Sequence, residues 1–573
     1  MRDDKPFFMT TPEEAARYRK SGAWPGETVY ERFERVALAH LGKVAIIEES
    51  RQWTYRQVLD EVKALSRGLA ASGIRGGDVV AAQLPNGARQ PIVHLATNRI
   101  GALCMPIHES WVEGELTHLL ATGVAVAAIV PASYRGTDYA ALYERLKPTL
   151  PALKQVFTIG GGASSYEALL ERDADDRMVA AITVDPDAPG DLMLSSGTTS
   201  MPKISMFSSN NLLALLQPFW RRIRIDENDV AAALAPAGTG AIGYVYPILT
   251  PLLNGATTVI LEKWGEPEQA VELIKRHRCT YATGVPAQLT QMLPALKAAA
   301  PGDFAAFRCF ANAGAPLPPE VGRQVEEAMG CKIFVIYGAT DGGVATTTGL
   351  DDTQERRLGT VGRAQDECEL RLVDDVGQPV AIGQTGEIHW RTADKSYGYL
   401  NDPEATAVAF TKDRFYRTGD LGVLDEEGYL RIVGRVKDMI IRGGRNISPR
   451  LIEEMVMRHP AVLEAAVAGY PDPVLGERAC AFAVLRKGES ELGFKALIEF
   501  LRGEHMPTWQ MPERLEVMAE LPRSAGGKVM KNKLRDFIAG KVKAEAEALA
   551  GAAATATSAA NSTADHSAVT QLS

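Results

Sequence analysis

The chain has 573 residues, 46% of them hydrophobic and 23% charged, with a formal net charge of −9. That length exceeds what one hydrophobic core supports, so two or more domains are expected. The acidic balance argues against a nucleic-acid binder, and six scattered cysteines without a Cys-x-x-Cys pair read as inert thiols in a reducing compartment.

No secretory signal opens the chain: Met1-Arg2-Asp3-Asp4-Lys5 precedes only a short apolar patch. Thr11-Pro12-Glu13-Glu14 is a capping box with proline at the first helical position, and Gly22 closes that helix. Thr54 and Gln57 repeat the device ahead of Val58, Val62, Leu65 and Leu69, an apolar stripe at helical spacing that Gly73 stops. Residues 79–84 read as a buried strand, a helical stretch follows, and residues 102–107 read as a second strand. This alternation is the grammar of a doubly wound α/β sheet. His94, His108 and His118 lack ligand spacing and read as core or surface histidines. Residues 230–261 carry no charge, but their prolines and glycines are too frequent for a spanning helix. Buried strands joined by a glycine-rich turn fit better. A cytoplasmic protein without a membrane span is expected.

The densest chemistry lies at Leu192-Met193-Leu194-Ser195-Ser196-Gly197-Thr198-Thr199-Ser200-Met201-Pro202-Lys203. A strand-like run breaks into hydroxyl residues around one glycine and closes on proline and lysine. Hydroxyls, a permissive glycine and exposed backbone N–H groups suit a loop that wraps a polyanion. It is not a Walker A loop, which needs a second glycine directly before the lysine. A Ser/Thr-rich surface turn is the alternative reading. Farther on come Asn312-Ala313-Gly314-Ala315-Pro316, Tyr337-Gly338-Ala339-Thr340-Asp341, Tyr416-Arg417-Thr418-Gly419-Asp420, Gly434-Arg435-Val436-Lys437-Asp438, Arg442-Gly443-Gly444-Arg445 and Ala525-Gly526-Gly527-Lys528. Residues 431–450 are basic, but they lack the interleaved aromatics of a nucleic-acid patch.

In this order and over more than three hundred residues, these motifs resemble the ANL superfamily of adenylate-forming enzymes, which includes acyl-CoA synthetases, peptide-synthetase adenylation domains and luciferases. The resemblance implies a large multi-sheet α/β N-terminal domain (1–436), a small mobile α+β C-terminal domain (437–545) hinged at Lys437, and a tail (546–573) of disordered composition. It implies an ATP-dependent carboxylic acid–CoA ligase using Mg²⁺, with ATP, coenzyme A and a small carboxylic acid as its partners. Ser195, Ser196, Gly197, Thr198, Thr199 and Lys203 would hold phosphates. Gly314, Ala315 and Pro316 would lie along the adenine, the Tyr337 ring would flank it, and in the same motif as Gly338 and Ala339 the Thr340 hydroxyl would contact phosphate. Asp420 would accept from the ribose hydroxyls, and Arg435 would meet the nucleotide. Asp341 and Thr198 would hold magnesium, although the family places glutamate where Asp341 stands. Gly443 and Gly444 would border the CoA tunnel, and Lys528 would be the catalytic lysine. Thr239, Gly240, Gly243, Tyr244 and Asn312 would line the acyl pocket. Small residues there point to a compact ring such as cyclohexanecarboxylate or benzoate, and a tightly packed glycine turn with no ligand is the alternative.

Three other functions stay open. An aryl-acid AMP ligase would load a carrier protein, and residues 18–24 resemble both that group and alicyclic-acid CoA ligases. A short- or medium-chain fatty acyl-CoA synthetase is the second. A nucleotide sensor without catalysis is suggested by the departures at Ser200, Ser209 and Asp341, and Lys528 argues against it. A peptide-synthetase domain would place an acidic residue within 235–246, where none stands.

Overall fold

The computed structural model describes residues 10–48, 51–161, 164–172, 175–195, 201–486, 488–489, 491–523 and 529–548. Two compact units emerge, with the boundary between Ile432 and Val433, inside strand Leu430–Arg435 and ahead of Lys437.

The first unit is built on two large sheets. One has nine strands: Val44–Glu48, Thr257–Ile260, Val230–Ala233, Tyr281–Gly284, Cys309–Asn312 and Lys332–Ala339 run parallel, with antiparallel strands at both edges. The other has six, of which Pro189–Ser195, Leu103–Ile107, Val79–Gln83, Ala125–Pro131 and Gln155–Ile159 are parallel and Lys203–Ser208 is an antiparallel edge. Both faces of these sheets are buried, which explains the near-continuous apolar runs. Along Val79–Gln83, Val80 and Ala82 enter one core and Val79 and Ala81 another, as the two-residue period of a strand requires. The first core joins both sheets to helices Val29–Ala39, Tyr55–Ala71, Arg89–Arg99 and Ser209–Ile223. A four-stranded sheet completes this unit.

Local signals act as the sequence implies. Thr11 and Glu14 form the reciprocal cap of helix Pro12–Ser21, and Gly22 ends it at φ 81°. Thr54 and Gln57 cap helix Tyr55–Ala71. The uncharged segment differs from its reading. Strands Val230–Ala233 and Thr257–Ile260 do flank it, but between them lie a 3₁₀ turn, Ala237–Thr239, and a π-helix, Ala241–Leu249. Pro247 explains the wider coil: in an α-helix its ring would press on the carbonyl four residues back. No helix among the described residues is long and apolar enough to cross a membrane.

The second unit carries a five-stranded sheet around Val462–Asp472 and Gly476–Leu485, with helices Pro449–Val456 and Phe494–Gly503 packed in its core. Residues 549–573, which include most of the expected tail, lie outside the described residues.

Candidate active site

The motif of residues 192–203 begins on one strand of an antiparallel pair and ends on the other. Ser195 ends one strand, Lys203 opens the next, and the two residues pair. Ser196, Gly197, Thr198 and Thr199 lie outside the described residues. The Lys203 ammonium stands 4.7 Å from the centre of the Tyr399 ring, because residues 397–400 pair with the open edge of Lys203–Ser208. Tyr399 in turn donates to Asp341 Oδ2 at 2.6 Å, and Ser205 donates to Asp341 Oδ1 at 2.8 Å. Burial, and then the Asp341 charge, push the Tyr399 phenol well up, so it remains a donor. Tyr399 thus stands between the buried Asp341 carboxylate and the Lys203 ammonium.

A second cluster forms where Lys332–Ala339 meets Tyr416–Leu424. Tyr337 donates from its hydroxyl to Asp420 Oδ2 at 2.7 Å, and burial raises that phenol well above its ordinary range. The Asp420 N–H donates to Thr418 Oγ1 at 2.8 Å, and Gly419 turns at φ 66° to allow it. Trp390 packs against both Tyr337 and Tyr416. Gly338 has no room for a side chain, since a Cβ would stand 2.6 Å from the Gly343 carbonyl oxygen. Ala339 ends that strand and Thr340 follows it. Gly314 (φ 83°), Ala315 and Pro316 are exposed beyond strand Cys309–Asn312.

The third element is a cavity lined by Gly240, Tyr244, Ala237, His94, Gln90 and Asp191, among others. Of the residues expected to line an acyl pocket, Gly240 and Tyr244 line this cavity. Thr239 and Gly243 hold the adjoining turn together. The Thr239 hydroxyl donates to the Pro236 carbonyl, and a Cβ on Gly243 would stand 1.9 Å from that same oxygen. Asn312 is fully buried at the end of its strand, and its amide N and O have no partner among the described residues. The polar wall was not legible. His94 Nε2 faces Asp191 Oδ1, and its Nδ1 meets the Tyr244 hydroxyl at 2.7 Å. One signal did exist: a lone acid inside the apolar run 189–195 needs a buried partner.

Residues 33–400 match the AMP-binding enzyme family, and residues 451–528 match the AMP-binding enzyme C-terminal domain. The chain belongs to the AMP-binding enzyme family. It is 32% identical over 524 residues to the medium-chain fatty-acid–CoA ligase of Escherichia coli (strain K12), covering 91% of this chain and 92% of that one. It is 31% identical over 544 residues to the 2,3-dihydroxybenzoate-AMP ligase of Bacillus subtilis (strain 168), covering 93% and 98%. Among solved structures, ATP-bound MatB from Rhodopseudomonas palustris matches with a TM-score of 0.79 at 26% identity, over 90% of this chain and 99% of that one. As an AMP-binding enzyme, the protein is an acid-activating ligase of the acyl- or aryl-acid class.

In the second unit of this AMP-binding enzyme, Gly443 (φ 55°) and Gly444 (φ 77°) form the two-residue turn between strands Ile440–Arg442 and Arg445–Ile447. Positive φ at both positions is the geometry that favours glycine in such hairpins. Arg435 ends strand Leu430–Arg435, and Lys437 lies in the short 3₁₀ turn Val436–Asp438. The Lys437 carbonyl accepts from Arg535, which also pairs with Asp438 at 2.9 Å. Lys528 lies outside the described residues.

Proposed function

We propose that this AMP-binding enzyme joins a compact cyclic carboxylic acid to coenzyme A in two steps. The carboxylate oxygen attacks the α-phosphorus of ATP, pyrophosphate leaves, and an acyl-adenylate forms. The thiolate of CoA then attacks the acyl carbon, and AMP leaves with the bonding pair. One observation carries this reading. A single strand, Pro189–Ser195, lines the cavity at Asp191 and ends at Ser195, where the phosphate loop starts. An acid bound beside that strand would present its carboxylate toward the residues this reading assigns to the phosphates.

In this reading Lys203 and the loop hydroxyls hold the departing pyrophosphate, and Lys528 brings a positive charge to the carboxylate and the phosphoryl group. Tyr337 flanks the adenine while fixing Asp420 for the ribose hydroxyls, and Arg435 meets the nucleotide. Asp341 and Thr198 would hold the magnesium ion, whose preference for oxygen ligands suits a carboxylate and a hydroxyl. That ion would neutralise phosphate charge as it develops. Gly443 and Gly444 border the CoA path in the second step, and Lys437 is the hinge between the two domains.

The test is pyrophosphate release across cyclic, aromatic, short-chain and medium-chain acids, with and without CoA, with thioester product measured alongside. Thioester from cyclic acids supports the proposal. Release that CoA leaves unaltered, with the acyl-adenylate retained, favours an AMP ligase that serves a carrier protein. Preference for linear acids favours a fatty acyl-CoA synthetase.

A further inference from the structure

In the four-stranded sheet of the first unit, strand Gly386–Arg391 pairs with Tyr416–Leu424, and the pairing breaks at one place. Glu387 faces Leu421 and His389 faces Arg417, so Ile388 alone stands opposite Thr418, Gly419 and Asp420. The chain bulges there, and the bulge carries Asp420, the residue assigned above to the ribose hydroxyls. A bulge re-aims a side chain out of the regular alternation of a strand.

It also takes backbone groups out of the strand ladder, and each then needs another partner. Side chains supply them here. The Thr418 hydroxyl donates to the Ile388 carbonyl at 2.8 Å and accepts from the Asp420 N–H at 2.8 Å. The Gly419 N–H donates to Glu387 Oε1 at 3.2 Å, across 32 positions of sequence. Gly419 has φ 66° and nothing within 4 Å of a Cβ, so hydrogen bonds and not side-chain packing pin the turn at that position. Tyr337 holds the other end of the residue, donating to Asp420 Oδ2 at 2.7 Å. The aim of Asp420 is thereby set from two sides, at its carboxylate and at its backbone.

Glu387 brings both a charge and a reach to this place. His389 Nε2 stands 3.3 Å from the same Oε1. His389, with the Gly419 N–H and Arg417, holds the Glu387 carboxyl below its ordinary range, so the group is ionised. Its charge acts on His389 and Arg417, whereas its reach acts on Gly419.

We propose that Glu387 is a positioning residue for nucleotide recognition: by accepting from the Gly419 N–H it sets the bulge that aims Asp420 at the ribose hydroxyls. It works through Asp420 and by reach, not by charge. The proposal rests on the ribose role of Asp420. A site arranged to accept from a hydroxyl rejects the analogue that lacks it, and a misaimed acceptor gives up that discrimination.

The test is calorimetric binding of ATP, 2′-deoxy-ATP and 3′-deoxy-ATP to the full chain, with melting temperatures to show that each variant folds. The parent protein is expected to prefer ATP over at least one deoxy analogue by about tenfold or more, and Asp420→Ala to bind all three alike. Glu387→Asp keeps the charge but withdraws the carboxylate from Gly419 by one methylene. It should cut the preference about tenfold, the scale of one lost hydrogen bond, by weakening ATP and not the deoxy analogues. Glu387→Gln keeps the reach without the charge and should retain the preference. Loss of the preference in Glu387→Gln, its retention in Glu387→Asp, or equal weakening of all three nucleotides in either variant would overturn the proposal and leave Asp420 in its role. Equal binding of the three nucleotides by the parent protein, or an undiminished preference in Asp420→Ala, would overturn the ribose assignment and this proposal with it.

Discussion

The resemblance of its motif leads one to expect glutamate where Asp341 stands, and the Asp341 carboxylate is held by Ser205 and Tyr399 on opposite oxygens. Those two hydroxyls fix the side chain, so in the proposed metal role its reach would be set by these hydrogen bonds and not by rotamer choice. Asp341→Ala should lower acyl-adenylate formation at least a hundredfold, and Asp341→Glu should keep activity with a changed magnesium requirement. The check is pyrophosphate release against magnesium concentration, and an unaltered dependence in Asp341→Glu would remove this residue from the metal site. A second residue-scale prediction concerns Lys395, which is fully buried and lies 3.8 Å from Glu14. Burial pulls its ammonium down from 10.5 to about 8, against the pull of Glu14. The unfolded chain therefore binds more protons between pH 8 and 10.5, and stability from this group rises with pH across that window. Relative to Lys395→Met, the parent should gain about 2 kcal/mol between pH 8 and pH 10. Melting temperatures of both proteins at the two pH values will read it, and a constant difference would contradict the buried charge.

The elements built on short-range rules were legible in the sequence. Capping boxes at Thr11 and Thr54, the stripe from Val58 to Leu69 and the apolar runs of the parallel strands depend on residues within a few positions of one another. What escaped was set by pairings across long separations. Asp191 meets His94 across 97 positions, and Asp341 meets Ser205 across 136. No periodicity marks such partners, although a lone acid in an apolar strand asks for one. The π-helix escaped for another reason: glycine and proline mark a break in regular structure without specifying which coil replaces it. Its geometry also decides how the proposed acyl pocket can be probed. Gly240 has φ 72° and ψ −133°, a region that side chains avoid, so a bulky residue there would mix strain with volume. Ala237 lines the same cavity without that restriction. Ala237→Val should move preference at least tenfold from cyclic acids toward short linear ones, read as the kcat/KM ratio of benzoate to butyrate. An unmoved ratio would show that the acid binds elsewhere.

Across the whole molecule, the two half-reactions of the proposed mechanism fall to separate features of the chain. Lys528→Ala should slow adenylation by orders of magnitude while leaving thioester formation from supplied acyl-adenylate near normal. Gly444→Leu should do the reverse, sparing the first turnover of pyrophosphate and blocking the thioester. Because Gly444 has φ 77° and nothing within 4 Å of a Cβ, Gly444→Asn supplies the control for strain, and it should fall between parent and leucine variant. In the proposed reaction the acid's own oxygen attacks the α-phosphorus, and heavy-oxygen tracing reads that step. Acid labelled in its carboxylate oxygens is turned over with ATP and CoA, and the AMP is analysed by mass spectrometry. AMP is expected to carry one labelled oxygen and pyrophosphate none. Unlabelled AMP, or label recovered in phosphate alongside ADP, would contradict it.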